Sequence, residues 1–356
     1  MSPLYFLSSL ILLPGIRATW GEAEAMPKML STQVSTPLRL LMCITGQRER
    51  LELKSKIRNF IQPNVNKGHI VDVITILDDR KNAKFVNKAP SSLIETEMMN
   101  DTSLLMQSVN NLHQVSYRQP DNPLPVSWYI EALDKSNTMN ETERMQGHVR
   151  QYLTMEQCYD EMLTLEFKNS KRYDEIFRLR EDTVLLAPIN PLHEQAIPVP
   201  DYLVNECDCW YNGTNDKGAL MLRRVAKTHF RGFRTALYLD KTILDPTVRI
   251  RNPETFTLSI LQKAKFVIKK SIYDMPVVPI RTAASGVVSQ DCLHALEQAC
   301  WKKYYDKYKS ETPYCVEIGE ESPQILEHYQ NAKKAKQKRI KKADEENTGR
   351  QHKSDS

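Results

Sequence analysis

Residues 39–77 read RLLMCITGQRERLELKSKIRNFIQPNVNKGHIVDVITIL, and this stretch decides the fold class. Arg39–Thr45 is a short apolar run that ends at Gly46. A charged segment follows from Gln47 to Ile61, with Leu51, Leu53, Ile57, Phe60 and Ile61 at close to helical spacing, and Pro63 is expected to stop it. His69–Leu77 is rich in β-branched residues, which suits a buried strand. Strand, helix and strand within about 40 residues form a βαβ unit, whose strands pair in parallel through a right-handed crossover.

Working outward, residues 79–140 carry weaker signals: short helical pieces around 92–112, then the proline-rich stretch RQPDNPLP at 118–125. Gly147–Phe167 predicts a helix whose apolar face holds Val149, Tyr152, Leu153, Met155, Cys158, Tyr159, Met162 and Leu163. Tyr173–Leu179 predicts a third strand, with Arg180-Glu181-Asp182-Thr183 at its carboxyl end. Thr183–Leu186 is apolar, and Pro188–Pro200 is a loop with four prolines. Tyr202–Val204, Gly218–Leu222 and Phe266–Ile272 read as strands; Val225–Tyr238, Pro253–Leu261 and Asp291–Lys309 read as helices. This alternation predicts an α/β fold, a single domain over 38–330 with a mostly parallel central sheet flanked by helices.

The ends of the chain read differently. Leu4–Leu13 is an apolar run closed by Pro14-Gly15, and Ala23-Glu24-Ala25 has the form of a cleavage site. Residues 1–25 are therefore expected to be a signal peptide or a signal anchor, and 26–37 a linker. No lysine or arginine precedes the apolar run, a departure from the usual layout. The formal charge of +5 sits in the last 25 residues, where nine Lys/Arg meet four Asp/Glu; the body is neutral, with 40 of each sign. Residues 331–356 thus read as a basic disordered tail, and the neutral body argues against nucleic acid as a partner.

Three glycosylation triplets, at Asn100, Asn140 and Asn212, agree with a secretory route through the endoplasmic reticulum or Golgi lumen; the one at Asn212 is expected to be unused. Membrane contact is expected through an N-terminal anchor or not at all. None of the seven cysteines forms a CxxC pair. In an oxidising compartment pairing is expected within 292–315, with Cys43, inside an apolar run, as the unpaired thiol.

Ligands of open α/β sheets bind at the carboxyl ends of the parallel strands. Three polar clusters fall there: Gly46-Gln47-Arg48, Arg178-x-Arg180-Glu181-Asp182, and the segment 205–224, NECDCWYNGTNDKGALMLRR. Glu181 and Asp182 suit a divalent cation, Mn²⁺ or Mg²⁺, which takes few protein carboxylates plus phosphate oxygens. Arg178, Arg180 and Lys217 suit phosphates, with Asn215 and the 46–48 turn beside them. Asp216, and after it Asp208, is a candidate for taking a proton from an acceptor hydroxyl. The plainer alternatives are an ion-paired strand, a turn cap at Asp182 and a hairpin turn at Asn215-Asp216. P-loop, GxSxG and HExxH motifs are absent from the sequence, which argues against an NTPase, a serine esterase or a zinc peptidase.

The strand YDEIFRLREDT (173–183), the segment GTNDKGALMLR (213–223) and the helix GHVRQYLTMEQCYDEM (147–162) resemble a group of poorly characterised eukaryotic glycosyltransferase-like proteins. The resemblance covers about residues 38–240 and implies a GT-A-like fold. It implies a nucleotide-sugar donor, a glycan, protein or lipid acceptor, and the acids after the third strand in the place of that fold's Asp-x-Asp motif. Here the sequence is Arg-Glu-Asp, which departs from it. A lumenal binding protein that keeps the fold without catalysis is the alternative.

Overall fold

A computed structural model describes residues 36–48, 51–78, 103, 105–133, 140–195, 197–207, 209–282 and 288–290. The chain divides into two units, Met1–Thr36 and Pro37–Ser356, and the fold is that of the second. The signal segment, the 291–309 helix, the tail and Asp208 lie outside the described residues.

The strands are β1 (Arg39–Gln47), β2 (Ile70–Asp78), β3 (Asn111–Ser116), β4 (Glu175–Arg180), β5 (Thr183–Leu185), β6 (Tyr202–Val204), β7 (Gly218–Leu222), β8 (Ile268–Lys270), β9 (Val277–Thr282) and β10 (Val288–Gln290). The helices are α1 (Lys54–Lys56), α2 (Gln62–Asn66), α3 (Ser127–Ala132), α4 (Glu141–Asn169), α5 (Leu192–Gln195), α6 (Arg223–Arg234) and α7 (Pro253–Lys263). Seven strands form one sheet in the order β3-β2-β1-β4-β7-β6-β8, and β10-β9-β5 form a second. In the large sheet β1 runs parallel to β2 and β4, β2 to β3, and β6 to β8; β7 is antiparallel to β4 and β6. The fold is therefore α/β with a mostly parallel central sheet, as the sequence predicts.

Both faces of this sheet are covered, which is why β1 and β2 are apolar almost without alternation. Leu41, Cys43, Ile74, Ile76, Ile176 and Met221 pack with α4, α6 and α7 on one face. Leu40, Met42, Ile44, Phe177 and Leu179 pack with Ile57, Phe60 and Ile61 on the other. Arg223 on α6 forks onto the Glu166 carboxylate of α4 with two bonds of 2.7 Å, clamping two helices of the first layer.

Four expectations are corrected. The helix after β1 does not stop at Pro63: α1 passes through a π-helical turn (Ile57–Ile61) into α2, with Pro63 in its first turn. Proline cannot donate to the carbonyl four residues back, and that carbonyl, on Asn59, instead accepts from the Ile189 amide at 2.8 Å. The long helix starts at Glu141 rather than Gly147, because the Asn140 side chain caps it by accepting from the Thr142 amide. Residues 111–116 are strand β3 rather than the end of a helical piece, held by parallel pairing to β2. Cys43 is not an unpaired thiol: it is bonded to Cys158 of α4. Cys207 is disulfide-bonded as well.

Lys56 is fully buried, which pulls its pKa down, yet its ammonium is well used. It donates to the carbonyls of Glu52 and Thr183, both at 2.5 Å, and approaches the Glu181 carbonyl at 3.4 Å. One buried cation thus fixes the backbone of the Glu181-Asp182 turn. Lys56→Met keeps the volume but leaves those carbonyls without their donor. It should cost about 2–3 kcal/mol, read as a fall in the urea midpoint at unchanged m-value.

Candidate functional site

The chain winds outward from β1 in both directions, to β2 and β3 on one side and to β4 on the other. The carboxyl ends of β1 and β4 therefore frame the switch point of the parallel strands, where open α/β sheets bind their ligands. Gly46 and Gln47 end β1, Arg180 ends β4, and Glu181-Asp182 make the turn into β5. The Glu181 amide bonds the Thr45 carbonyl at 3.1 Å, so the two strand ends are joined.

Gly46 is required here twice over. Its φ is +146°, a conformation that residues with a Cβ rarely adopt. A Cβ on it would lie 1.8 Å from Glu181 Oε2, so the carboxylate occupies the space a side chain would fill. Gln47 and Arg48 are half-buried beyond it, and Gln47 is the register partner of Asp78 at the end of β2.

Because β7 is reversed, the loop that precedes it also arrives at the carboxyl end of β4, where the Arg180 amide bonds the Lys217 carbonyl at 2.9 Å. This loop is fixed at every step. Lys270 donates to the carbonyls of Asn212 and Gly213 at 2.8 and 2.5 Å. The Thr214 amide bonds the Glu254 carbonyl at 3.0 Å, and Asn215 donates to the Cys207 carbonyl at 2.8 Å while accepting from the Lys217 amide at 2.7 Å. A Cβ on Gly213 would come within 2.5 Å of the Glu254 backbone, so only glycine allows α7 to approach. Thr214, the hydroxyl residue of the Asn212 triplet, is fully buried in this contact.

The charges converge on Arg180. Its guanidinium bonds Asp182 Oδ2 at 2.7 Å and lies 3.7 Å from Asp216 Oδ2. Burial disfavours its charge, but Asp182, Asp216 and Glu181 outweigh burial and raise its pKa. Asp216 also meets the Lys217 ammonium, and its main-chain carbonyl accepts from Arg178. Burial would raise the Asp216 pKa; Lys217, Arg180 and Arg178 overcome this and hold the carboxyl well below its usual range. Lys217 in turn reaches Glu254 Oε1 at 3.8 Å. Burial, and next the Asp216 carboxylate, push Glu254 up to about 7.

The structure thus brings together Gly46, Glu181, Arg180, Asp182, Asn215, Asp216 and Lys217 from three separate segments. Arg178 sits beneath them, buried, on the same sheet face as Arg180 and committed to the Asp216 carbonyl. Among the described residues no group of three or more His, Cys, Asp or Glu side chains stands together as a metal cage. Asp78 and Glu254 join the site without having been singled out from sequence. An acid closing the second apolar run points to Asp78. Asn252-Pro253, a capping residue and a first-turn proline, places Glu254 in the opening turn of a helix, but nothing local links it to Lys217.

No protein-family model matches the chain and no curated sequence is similar to it. Among solved structures it is similar to the glycosyltransferase GlyE of Streptococcus pneumoniae TIGR4, at a TM-score of 0.31 and 10% identity over 67% of this chain and 47% of that one. The chain therefore spans about half the length of that structure.

Proposed function

We propose that this protein transfers a sugar from a nucleotide-sugar donor to a glycan, protein or lipid acceptor in the lumen of the secretory pathway. The observation that carries the reading is the pairing of Asp182 with Arg180 at the switch point of the parallel strands, next to Glu181, whose carboxylate fills the space left by Gly46. In this reading the nucleoside lies over Gly46, Gln47 and Arg48, at the carboxyl end of β1. The diphosphate faces Arg180 and Lys217.

The donor set at Asp182 and Glu181 is two hard carboxylates, which fits Mn²⁺ or Mg²⁺ completed by phosphate oxygens and water. When bound, such an ion neutralises charge on the departing diphosphate. A second reading, a binding protein without catalysis, is favoured by the way Arg180 is already engaged by Asp182 and Asp216.

The test is thermal denaturation with uridine-, guanosine- and cytidine-based sugar nucleotides, with and without Mn²⁺. A true donor at about 100 times its Kd should add about 2.7 kcal/mol of stability, and Asp182→Asn should abolish the Mn²⁺-dependent part of that gain. An unaltered gain in Asp182→Asn would refute the cation assignment. Stabilisation by donor without product in any acceptor mixture would select the second reading.

A further inference from the structure

We propose that Glu254, rather than Asp216, is the proton-accepting group of this site; the inference rests on the glycosyl-transfer reading and assigns a catalytic residue to it.

The two carboxyls share one cation but not on equal terms. Asp216 is in direct contact with the Lys217 ammonium, has Arg180 at 3.7 Å, and is braced through its own carbonyl by Arg178. A carboxylate paired this closely gives up much of its basicity to its partners. Glu254 is set back from the same cation, 3.8 Å from Lys217. It is buried, and its place is fixed by the close approach of Gly213 and the capping box of Asn252 and Thr255.

The titratable and charged groups that face it are Asp216 and Lys217 from the loop before β7, Arg180 from β4, and the hydroxyls of Tyr129 on α3 and Tyr152 on α4. Burial keeps both tyrosines protonated and neutral. Burial and the Asp216 charge raise the Glu254 carboxyl to about 7, where a group is half-ready both to take and to release a proton at neutral pH.

The step balances as follows. The acceptor oxygen bonds to the anomeric carbon as its proton passes to a Glu254 oxygen. The bond from that carbon to the diphosphate oxygen breaks, with its electron pair leaving on the diphosphate. Glu254 then returns the proton to solvent. Asp216 stays ionised throughout and holds Lys217 and Arg180 beside the leaving group, so it is a positioning residue.

Two measurements decide this. Carboxyl carbons labelled in glutamate and aspartate are followed by NMR against pH in the wild type, Glu254→Gln and Asp216→Asn. One glutamate signal should titrate near neutrality in the wild type, move to lower pH in Asp216→Asn because the charge that helps to raise it is gone, and vanish in Glu254→Gln. Absence of such a signal, or its survival in Glu254→Gln, overturns the proposal even where no turnover is found. With a donor and acceptor in hand, Glu254→Gln should lower kcat about 10²–10⁴-fold and remove the acidic limb of the kcat profile, while the donor-induced thermal shift persists. A kcat for Glu254→Gln within a fewfold of wild type overturns it. Absence of any donor-induced shift in the wild type overturns the transfer reading instead, and leaves Glu254 to be judged by its titration.

Discussion

Gly46→Ala should destabilise the fold by about 3–5 kcal/mol, about 1–3 of it backbone strain and the rest displacement of a buried carboxylate. It should also abolish donor-induced stabilisation. The two costs can be separated. Gly68 also has a positive φ, +88°, but nothing lies within 4 Å of where its Cβ would be. Gly68→Ala therefore measures strain alone, about 1 kcal/mol. At Gly46 a methyl group would stand within 2.0 Å of the Glu181 carboxyl carbon, and Glu181 is itself buried with its amide tied to Thr45. The carboxylate must leave, and because it is buried on a tied backbone its displacement is expected to move the turn that carries Asp182. Urea denaturation of both variants gives the comparison. Equal losses at the two positions would mean that Glu181 yields freely and that the glycine does not hold the acid pair in place.

How much of this was legible in the sequence differs from level to level. The parallel core was legible because its cause is local: β1 and β2 are buried on both faces, so their apolar runs are continuous, and the segment between them has helical period. The positions of Tyr202–Val204 and Gly218–Leu222 could be read the same way, but the reversal of β7 could not, since strand direction is decided by which neighbours it meets. The continuation of the helix through Pro63 depends on the Ile189 amide, 126 residues further on, which satisfies a carbonyl the proline cannot. Strand β3, LHQV flanked by asparagine and serine, is half exposed at the sheet edge, so it lacks the continuous apolar run that reveals a buried strand.

The site divides along the same line. Arg180, Glu181 and Asp182 were visible because they follow a strand directly, and Asn215-Asp216-Lys217 because they lead directly into one. Arg178 shared the strand pattern of Arg180, but burial separates the two: one guanidinium meets the cluster of acids, the other props up a carbonyl. Glu254 was illegible as a functional residue because its neighbours are Lys217 and Asp216, nearly forty residues away. Its perturbation arises from burial and from a charge that only the fold brings near. The same distinction applies to Cys43. An apolar run tells that a sulfur is buried; it does not tell that position 158, on the inward face of α4, stands opposite.

That disulfide carries the other large expected effect. Cys43 and Cys158 are 115 residues apart, and their side chains lie at the sheet–helix interface with almost no exposure. Cross-linking a loop of that length removes entropy from the unfolded chain worth about 5 kcal/mol in the chain-entropy account. Cys43→Ala/Cys158→Ala should accordingly lower the melting temperature by about 10–20 °C, at about 2–4 °C per kcal/mol for a domain of this size. Neither sulfur is reachable from solvent in the native state, so a reductant can act only on molecules that have opened. Reduction of the folded protein should be slow in buffer and should accelerate with urea in step with unfolding. Fast reduction without urea would mean that α4 separates from β1 in the native state. A melting temperature unchanged in the double variant would mean that the Val149–Met162 face of α4 holds the helix on the sheet without the covalent tie. A buried bond expected to contribute this much is compatible with folding in an oxidising compartment, the setting proposed for the reaction.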